Sequence, residues 1–245
     1  METTVPRPDD VATLAARLRE DGYALVPAPR MRQALGGPAA LADWDHLAAS
    51  WQDLPLDTCM ADHGRYRRRR HAVFRLPAKG AAERLQHQPH FQTLDYNPLN
   101  GGVERRFEPV EAGIEHGPSL RAVFAFCQDV FGAADPAPAG WFVEIHQFRI
   151  EARPGEPGQP TPEGMHRDGV DHVLVLLVRR SNVREGTTLI GRSDGTLAGS
   201  FTLAEPLDAA LVEDRRMHHG VTAVEPVDPG EPAWRDVLVV TLRRS

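Results

Sequence analysis

The stretch that most constrains this chain is Pro162-Glu163-Gly164-Met165-His166-Arg167-Asp168-Gly169-Val170, which runs into an apolar segment from Val173 to Val178. In an extended segment side chains alternate in face, so His166 and Asp168 point the same way with Cα atoms roughly 6.6 Å apart. An imidazole and a carboxylate at that spacing can meet on one ion. One more histidine completes the two-His-one-carboxylate face that leaves positions open on non-haem Fe(II). The C-terminal part offers Met217-His218-His219-Gly220-Val221-Thr222, then Arg235-Asp236-Val237-Leu238-Val239-Val240-Thr241-Leu242. These supply a third ligand and a cation at a strand start. The tripeptide alone is weak, because eleven histidines make about one His-x-Asp expected by chance. The order of the parts carries the weight. His218 and His219 face opposite ways on a strand, so only one of them can meet the ion.

The rest of the chain reads as strands and turns with helices at the start and centre. Apolar positions at Val11, Leu14, Ala15 and Leu18 predict a helix over Pro8 to Arg19, with Asp9 or Asp10 placed to cap it. Tyr23 to Val26 reads as a short strand after the Asp21-Gly22 stop. A second helix is expected from Gly37 through Leu41, Trp44, Leu47 and Trp51 to near Pro55, its tryptophans in the core. Arg65 to Arg70 leads into His71-Ala72-Val73-Phe74 as a strand, where alternate arginines point inward and can hold a small acid. Which of them face inward depends on the register. The turn-rich Gln86 to Gly102 reads as part of a lid, with Tyr96 and Asn97 as substrate contacts. A helix is expected over Arg121 to Phe131, and Asp135 to Gly140 separates it from the barrel. Trp141 to Ile150 alternates as a strand with Phe142, Glu144, His146 and Phe148 on one face, making Glu144/His146 the rival metal pair. Asn182 to Ile190 reads as a turn and then a strand, and further strands are expected over Leu197 to Leu203 (after a turn at Asp194-Gly195), Ala209 to Glu213, Gly220 to Val224 and Asp236 to Leu242. Short strands and frequent turns point to a mainly β, cupin-like jelly-roll, a double-stranded β-helix with flanking N-terminal and central helices. A single domain is expected over residues 1–245, an N-terminal elaboration to about 60 preceding the barrel core.

The motifs around Trp141 to Arg149, Pro162 to Gly169, His219 to Thr222 and Arg235 to Thr241 resemble the 2-oxoglutarate/Fe(II)-dependent dioxygenases. Tyr66-Arg67-Arg68-Arg69-Arg70 and Tyr96 to Gly102 extend the likeness to the bacterial group that includes L-isoleucine 4-hydroxylase. The resemblance covers most of the chain after about residue 60. It implies Fe(II) on His166, Asp168 and His219, the last because His219-x-Val221 matches the distal-ligand run of similar enzymes, with Val221 and Ala223 inward. It also implies 2-oxoglutarate and O2 as co-substrates, with Thr188 after the Gly-bearing turn near the cofactor. Arg235 suits the far carboxylate of 2-oxoglutarate, since it stays charged and pairs bidentately. The implied activity is hydroxylation of an unactivated C–H bond of a small substrate, a free L-amino acid, yielding succinate and CO2. Candidate substrate contacts are Arg68, Tyr96, Asn97, His146 and Arg167. Alternatives are a non-oxygenase cupin-like metal- or ligand-binding barrel, the same scaffold acting on another metabolite, a radical halogenase and a zinc hydrolase. Asp168 stands where a halogenase needs a halide.

Composition narrows the partners. A net charge of −6 gives no global basic field for nucleic acid. No apolar run approaches the roughly 20 residues needed to span a bilayer. The N-terminus lacks the basic start and apolar core of a secretory signal, and Cys59 and Cys127 make no disulfide framework. A cytoplasmic enzyme with two free thiols is the expectation.

Overall fold

The computed structural model describes residues 8–135 and 139–245; Pro136 to Pro138 of the expected separator lie outside the described residues, as does the side chain of Asp9. The N-terminal region contains α1 (Pro8–Asp21), β1 (Tyr23–Val26), α2 (Ala28–Ala34), α3 (Gly37–Ala40) and α4 (Trp44–Ala49). Then come β2 (Arg67–Pro77), β3 (Glu83–Arg84), α5 (Pro118–Ala134), β4 (Gly140–Ala152) and β5 (His172–Ser181). Short strands follow: β6 (Val183–Glu185), β7 (Thr187–Arg192), β8 (Leu197–Thr202), β9 (Ala209–Glu213), β10 (Met217–Val221) and β11 (Val224–Pro226). The last strand is β12 (Ala233–Arg244).

The strands form a jelly-roll. Its large sheet is antiparallel with the order β1-β9-β5-β12-β4-β2-β3, and the smaller side is built from β10-β7-β8 and β11-β6. The two long central strands read as alternating rows. Leu238, Val240 and Leu242 of β12 join Val143 and Ile145 of β4 in the core beneath the helices. That core is closed by Leu14 and Leu18 of α1 and by Val123, Phe124, Phe126, Cys127, Val130 and Phe131 of α5. The opposite row of β12 (Arg235, Val237, Val239 and Thr241) lines a cleft, as do Phe142, Glu144, His146, Phe148 and Ile150 of β4. Val173 of the large sheet packs with Ile190 and Met217 of the small one, which fixes the two sides face to face.

Two expectations about elements are corrected and one helix is added. The helix expected from Gly37 to near Pro55 is two short helices, α3 and α4. Leu41 leaves the helical region (φ −110°, ψ 22°), and the Asp43 carboxylate accepts the Ser119 N–H at 2.9 Å at the start of α5. Trp51 is nonetheless fully buried, its indole donating to the Phe148 carbonyl at 3.1 Å. The segment Ala28 to Ala34 is helical, which periodicity over so few residues did not reveal. The strand expected over Gly220 to Val224 starts earlier at Met217 and ends at Val221, so Ala223 is not on an inward strand face. The hairpin at Asp194-Gly195 joins β7 to β8 as expected, with Gly195 at φ +83°.

Candidate active site

The His166-x-Asp168 motif lies just before β5, held against β10. The His166 N–H donates to the His219 carbonyl at 3.0 Å and the His219 N–H returns to the His166 carbonyl at 2.8 Å. That pairing brings the two rings to 4.6 Å between centroids. His166 Nε2 lies 3.6 Å from Asp168 Oδ1, and His219 Nε2 lies 3.5 Å from Asp168 Oδ2. One ligand atom from each of the three residues falls within 4.8 Å of the others. Gly164 sits at φ +80° and its carbonyl accepts the His166 Nδ1 proton at 3.0 Å, so the Nε2 lone pair is left for an ion.

The electrostatics show that a cation is wanted here. Burial works against a proton on His166, yet Asp168, Glu163 and the Gly164 carbonyl outweigh it and hold the imidazole at about 9. Burial would raise Asp168, but bonds from the two imidazoles keep it well below the usual carboxylate range. Two nitrogens and one carboxylate around open space match a 2-His-1-carboxylate iron site.

A residue invisible to motif reading organises this turn. Asp214, just after β9, is 1% exposed and accepts the N–H groups of Asp168 (2.9 Å), Gly169 (2.8 Å) and Val170 (3.1 Å). Its Oδ1 also faces His219 Nδ1 at 3.8 Å. Burial and the neighbouring Asp168 raise the Asp214 carboxyl above its ordinary range. From the segment before Asn97, the Gln92 amide donates to Asp168 Oδ1 at 3.0 Å. Gln92 Oε1 in turn accepts from Asn97 at 3.1 Å and Arg105 at 2.8 Å.

The cleft extends from this centre between the two sheets, about 1090 Å³ including its mouth. Arg235 closes one end. It is 1% exposed, and its Nε and Nη2 have no partner among the described residues. Burial, followed by Arg180, lowers this guanidinium to about 10. A buried guanidinium with idle donors costs several kcal/mol unless an anion meets it. Gly186, at φ +76°, lets the β6–β7 turn pass close: a Cβ there would stand 3.7 Å from Arg235 Cδ and 2.9 Å from Val224 Cγ1. Thr188, two residues on, is buried with its hydroxyl also unpartnered. The donors suit the far carboxylate of a keto-diacid chelating the ion.

A second polar wall lies on β2 and β4. Arg67 and Arg69 face the cleft with Arg105, which bridges antiparallel to His90. Arg67 Nε donates to buried Asp57 at 2.8 Å, while Arg67 Nη2, Arg69 Nε and Arg105 Nε have no partner among the described residues. Burial, then repulsion from Arg67, pushes Arg69 down, although a guanidinium keeps its proton in water-excluded sites. His71, His90, Glu144 and His146 form a second group with ligand atoms within 4.8 Å.

The sequence-derived residues thus divide. His166, Asp168, His219, Arg235, His146 and Asn97 line one cleft, and Thr188 is buried beside the turn that packs on Arg235. His218 points away, partly exposed. Three substrate contacts are corrected. Arg68 sits on the opposite face of β2 from Arg67 and Arg69, and pairs with Glu151 at 2.5 Å. Tyr96 packs over Gly169 outside the cleft, and Arg167, alternate to His166 and Asp168, stacks on Tyr96 with its guanidinium 5.4 Å from the ring centroid. Glu163, His90, Gln92, Arg105 and Asp214 were not read from the sequence as site residues.

Comparison with known proteins places this geometry. A 3(1)-hydroxy-L-isoleucine 4-dioxygenase of Pantoea ananatis is 24% identical over 240 residues, 94% of this chain and 95% of that protein. An L-isoleucine-4-hydroxylase of Bacillus thuringiensis is 28% identical over 159 residues, 62% of this chain and 64% of that protein. The crystal structure of a bsmA homolog from Methylobium petroleophilum PM1 superposes with a TM-score of 0.88 at 37% identity, covering 100% of this chain and 97% of its own. The family described as 2OG-Fe dioxygenase, whose members use Fe(II), 2-oxoglutarate and O2, matches residues 48–241, which include the His166/Asp168/His219 face and Arg235. By that match, and with a buried donor set suited to both metal and co-substrate, the chain belongs to the 2OG-Fe dioxygenase family.

Proposed function

We propose that this dioxygenase hydroxylates an unactivated carbon of a free L-amino acid or similarly small zwitterion. In this reading His166, Asp168 and His219 hold Fe(II), and Arg235 with Thr188 holds the far carboxylate of 2-oxoglutarate. The metal and co-substrate supply the oxidation; the protein supplies orientation, charge balance and exclusion of water.

The observation that carries the substrate class is the charge pattern of the cleft. Fe(II), Asp168, dianionic 2-oxoglutarate and Arg235 sum to zero. On the second wall Arg67, Arg69 and Arg105 are matched in number by Asp57, Glu144 and Glu163, so a neutral zwitterion leaves that wall without excess charge. Both signs still have free valence: guanidinium N–H groups without partners, and Glu163 Oε2, buried and also unpartnered. An α-carboxylate meets the first and an α-ammonium the second. Two relatives named for isoleucine chemistry support the same class. A non-oxygenase cupin-like barrel has no use for a buried, unpaired Arg235.

The test is succinate formation from 2-oxoglutarate with Fe(II) and ascorbate across a panel of free amino acids. Amino-acid-stimulated turnover is expected. Stimulation by a peptide or a larger metabolite, with none by any amino acid, would remove the substrate assignment and leave the family intact.

A further inference from the structure

The second histidine group has no part in the iron site, and its protons are arranged to recognise something else. Arg69 Nη2 lies 2.7 Å from His146 Nδ1. A guanidinium can only donate, so Nδ1 accepts and the proton of His146 is fixed on Nε2. Burial, followed by Arg69, drives the His146 pKa far down, so the ring stays neutral. Nε2–H bonds nothing else among the described residues, and the ring lines the cleft. Beside it, His71 Nε2 and His90 Nδ1 both donate to Glu144 Oε1, each at 3.0 Å. Glu144 Oε2 takes no bond among the described residues, and Glu144 also lines the cleft. The wall therefore presents one fixed donor next to one fixed acceptor.

Charge decides what fits there. A carboxylate meets the Glu144 charge, and an ammonium meets the His146 donor with Arg69 directly behind it. A divalent ion would have to displace the protons bound to Glu144 Oε1 and the Arg69 bond to His146. A neutral group that donates and accepts satisfies both atoms at once.

We propose that His146 and Glu144 form a specificity subsite for a neutral side-chain hydroxyl or carboxamide. The enzyme then prefers a polar amino acid to an aliphatic one of the same shape. This rests on the amino-acid reading above. A site built to bond a polar group discriminates strongly against the analogue that lacks it, since its own buried atoms are left unpaired.

The experiment is anaerobic calorimetry on protein loaded with Zn(II) and 2-oxoglutarate, titrated with two near-isosteric pairs, threonine against valine and asparagine against leucine. At least one polar member is expected to bind roughly tenfold or more tightly than its aliphatic partner; which pair shows it separates hydroxyl from carboxamide. His146→Phe should abolish that preference with 2-oxoglutarate affinity unchanged. His146→Gln, which can accept from Arg69 and still donate, should restore part of it. If His146→Phe no longer binds 2-oxoglutarate, the wild-type pairs and His146→Gln decide. Equal binding within both pairs overturns the subsite while the amino-acid reading stands. Binding of 2-oxoglutarate with none of the four amino acids overturns the subsite and leaves the amino-acid reading to the wider panel, and two metal equivalents per wild-type chain overturn the hydrogen-bonding assignment.

Discussion

Two clusters of histidine and carboxylate lie in one cleft, and each brings its ligand atoms within 4.8 Å. By residue type, both qualify as metal sites. What touches the imidazoles separates them. At His166 the outer nitrogen is occupied by the Gly164 carbonyl, which leaves Nε2 free to face Asp168. At His146 the outer nitrogen is taken by a guanidinium, and His71 and His90 have spent their protons on one oxygen of Glu144. The consequences run in opposite directions. His166 holds a proton up to about 9, whereas burial outweighs Glu144 and keeps His71 neutral down to about 4. The first cluster suits a cation; in the second, the Arg69 bond and the protons of His71 and His90 are already committed, which leaves one neutral donor and one acceptor facing the cleft. Neighbouring backbone carbonyls and arginines, rather than the donor count, distinguish the two groups as candidate metal sites.

The largest expected effect follows from swapping the same deletion between clusters. Asp168→Ala should lose bound Fe(II) and nearly all succinate formation, beyond the roughly 10–100-fold typical of outer partners. Glu144→Ala should keep one metal equivalent, measured by elemental analysis, and lose stability by about 1–3 kcal/mol because the donors of His71 and His90 go unmet. Normal succinate production by folded Asp168→Ala would end the assignment of the first cluster. His219→Ala and His218→Ala make the register version of this test, with metal lost only in the first. Next in size, Arg235→Lys should raise the apparent KM for 2-oxoglutarate about tenfold, as charge is kept and the planar fork lost. Arg69→Lys should leave that KM alone and weaken the amino acid instead. Asp214→Asn, tested by Fe(II) titration, should weaken metal binding roughly 10–100-fold, since an amide cannot accept three backbone N–H groups as a carboxylate does.

The same contrast explains what the sequence made legible. The candidate iron face was readable because its residues are close in sequence or sit in strand motifs: His166-x-Asp168 by alternation, His219 by its run, Arg235 by its place near the start of β12. The jelly-roll was readable from short strands and turns. The second cluster was not, because it depends on lateral register across β2 and β4, which pairs His71 with His146 and Arg69 with Phe148. One clue was present. Ala72, Phe74 and Leu76 are apolar at even positions and belong to the helix-side core, which sends Arg67 and Arg69 into the cleft, turns His71 to the same side behind Glu144, and sends Arg68 out. Asp214 and Gln92 act through backbone and amide bonds across 46 and 76 residues of chain, and no local pattern announces such bonds.

The smallest effect tests whether the second cluster is truly neutral. His71 is fully buried, and burial, only partly opposed by Glu144, lowers it to about 4. An unfolded histidine titrates near 6.5, so between those values the unfolded chain binds the extra proton and stability rises with pH. Glu144, held at about 2 by the two histidines despite burial, stays ionised in the folded state and is mostly ionised when unfolded, so it adds only a small slope of the same sign near pH 5. From pH 6.5 to 5, each such histidine should therefore cost about 1.5 kcal/mol of stability. His172, stacked 4.7 Å from Phe131 and likewise lowered to about 4, chiefly by burial, adds a slope of the same sign. Urea unfolding of metal-free protein across this window should show the combined slope, and His71→Gln should reduce it by up to one proton. An unchanged slope would mean that folded His71 carries a proton. Its bond to Glu144 would then be an ion pair, and the second cluster would share the cation-holding character of the first.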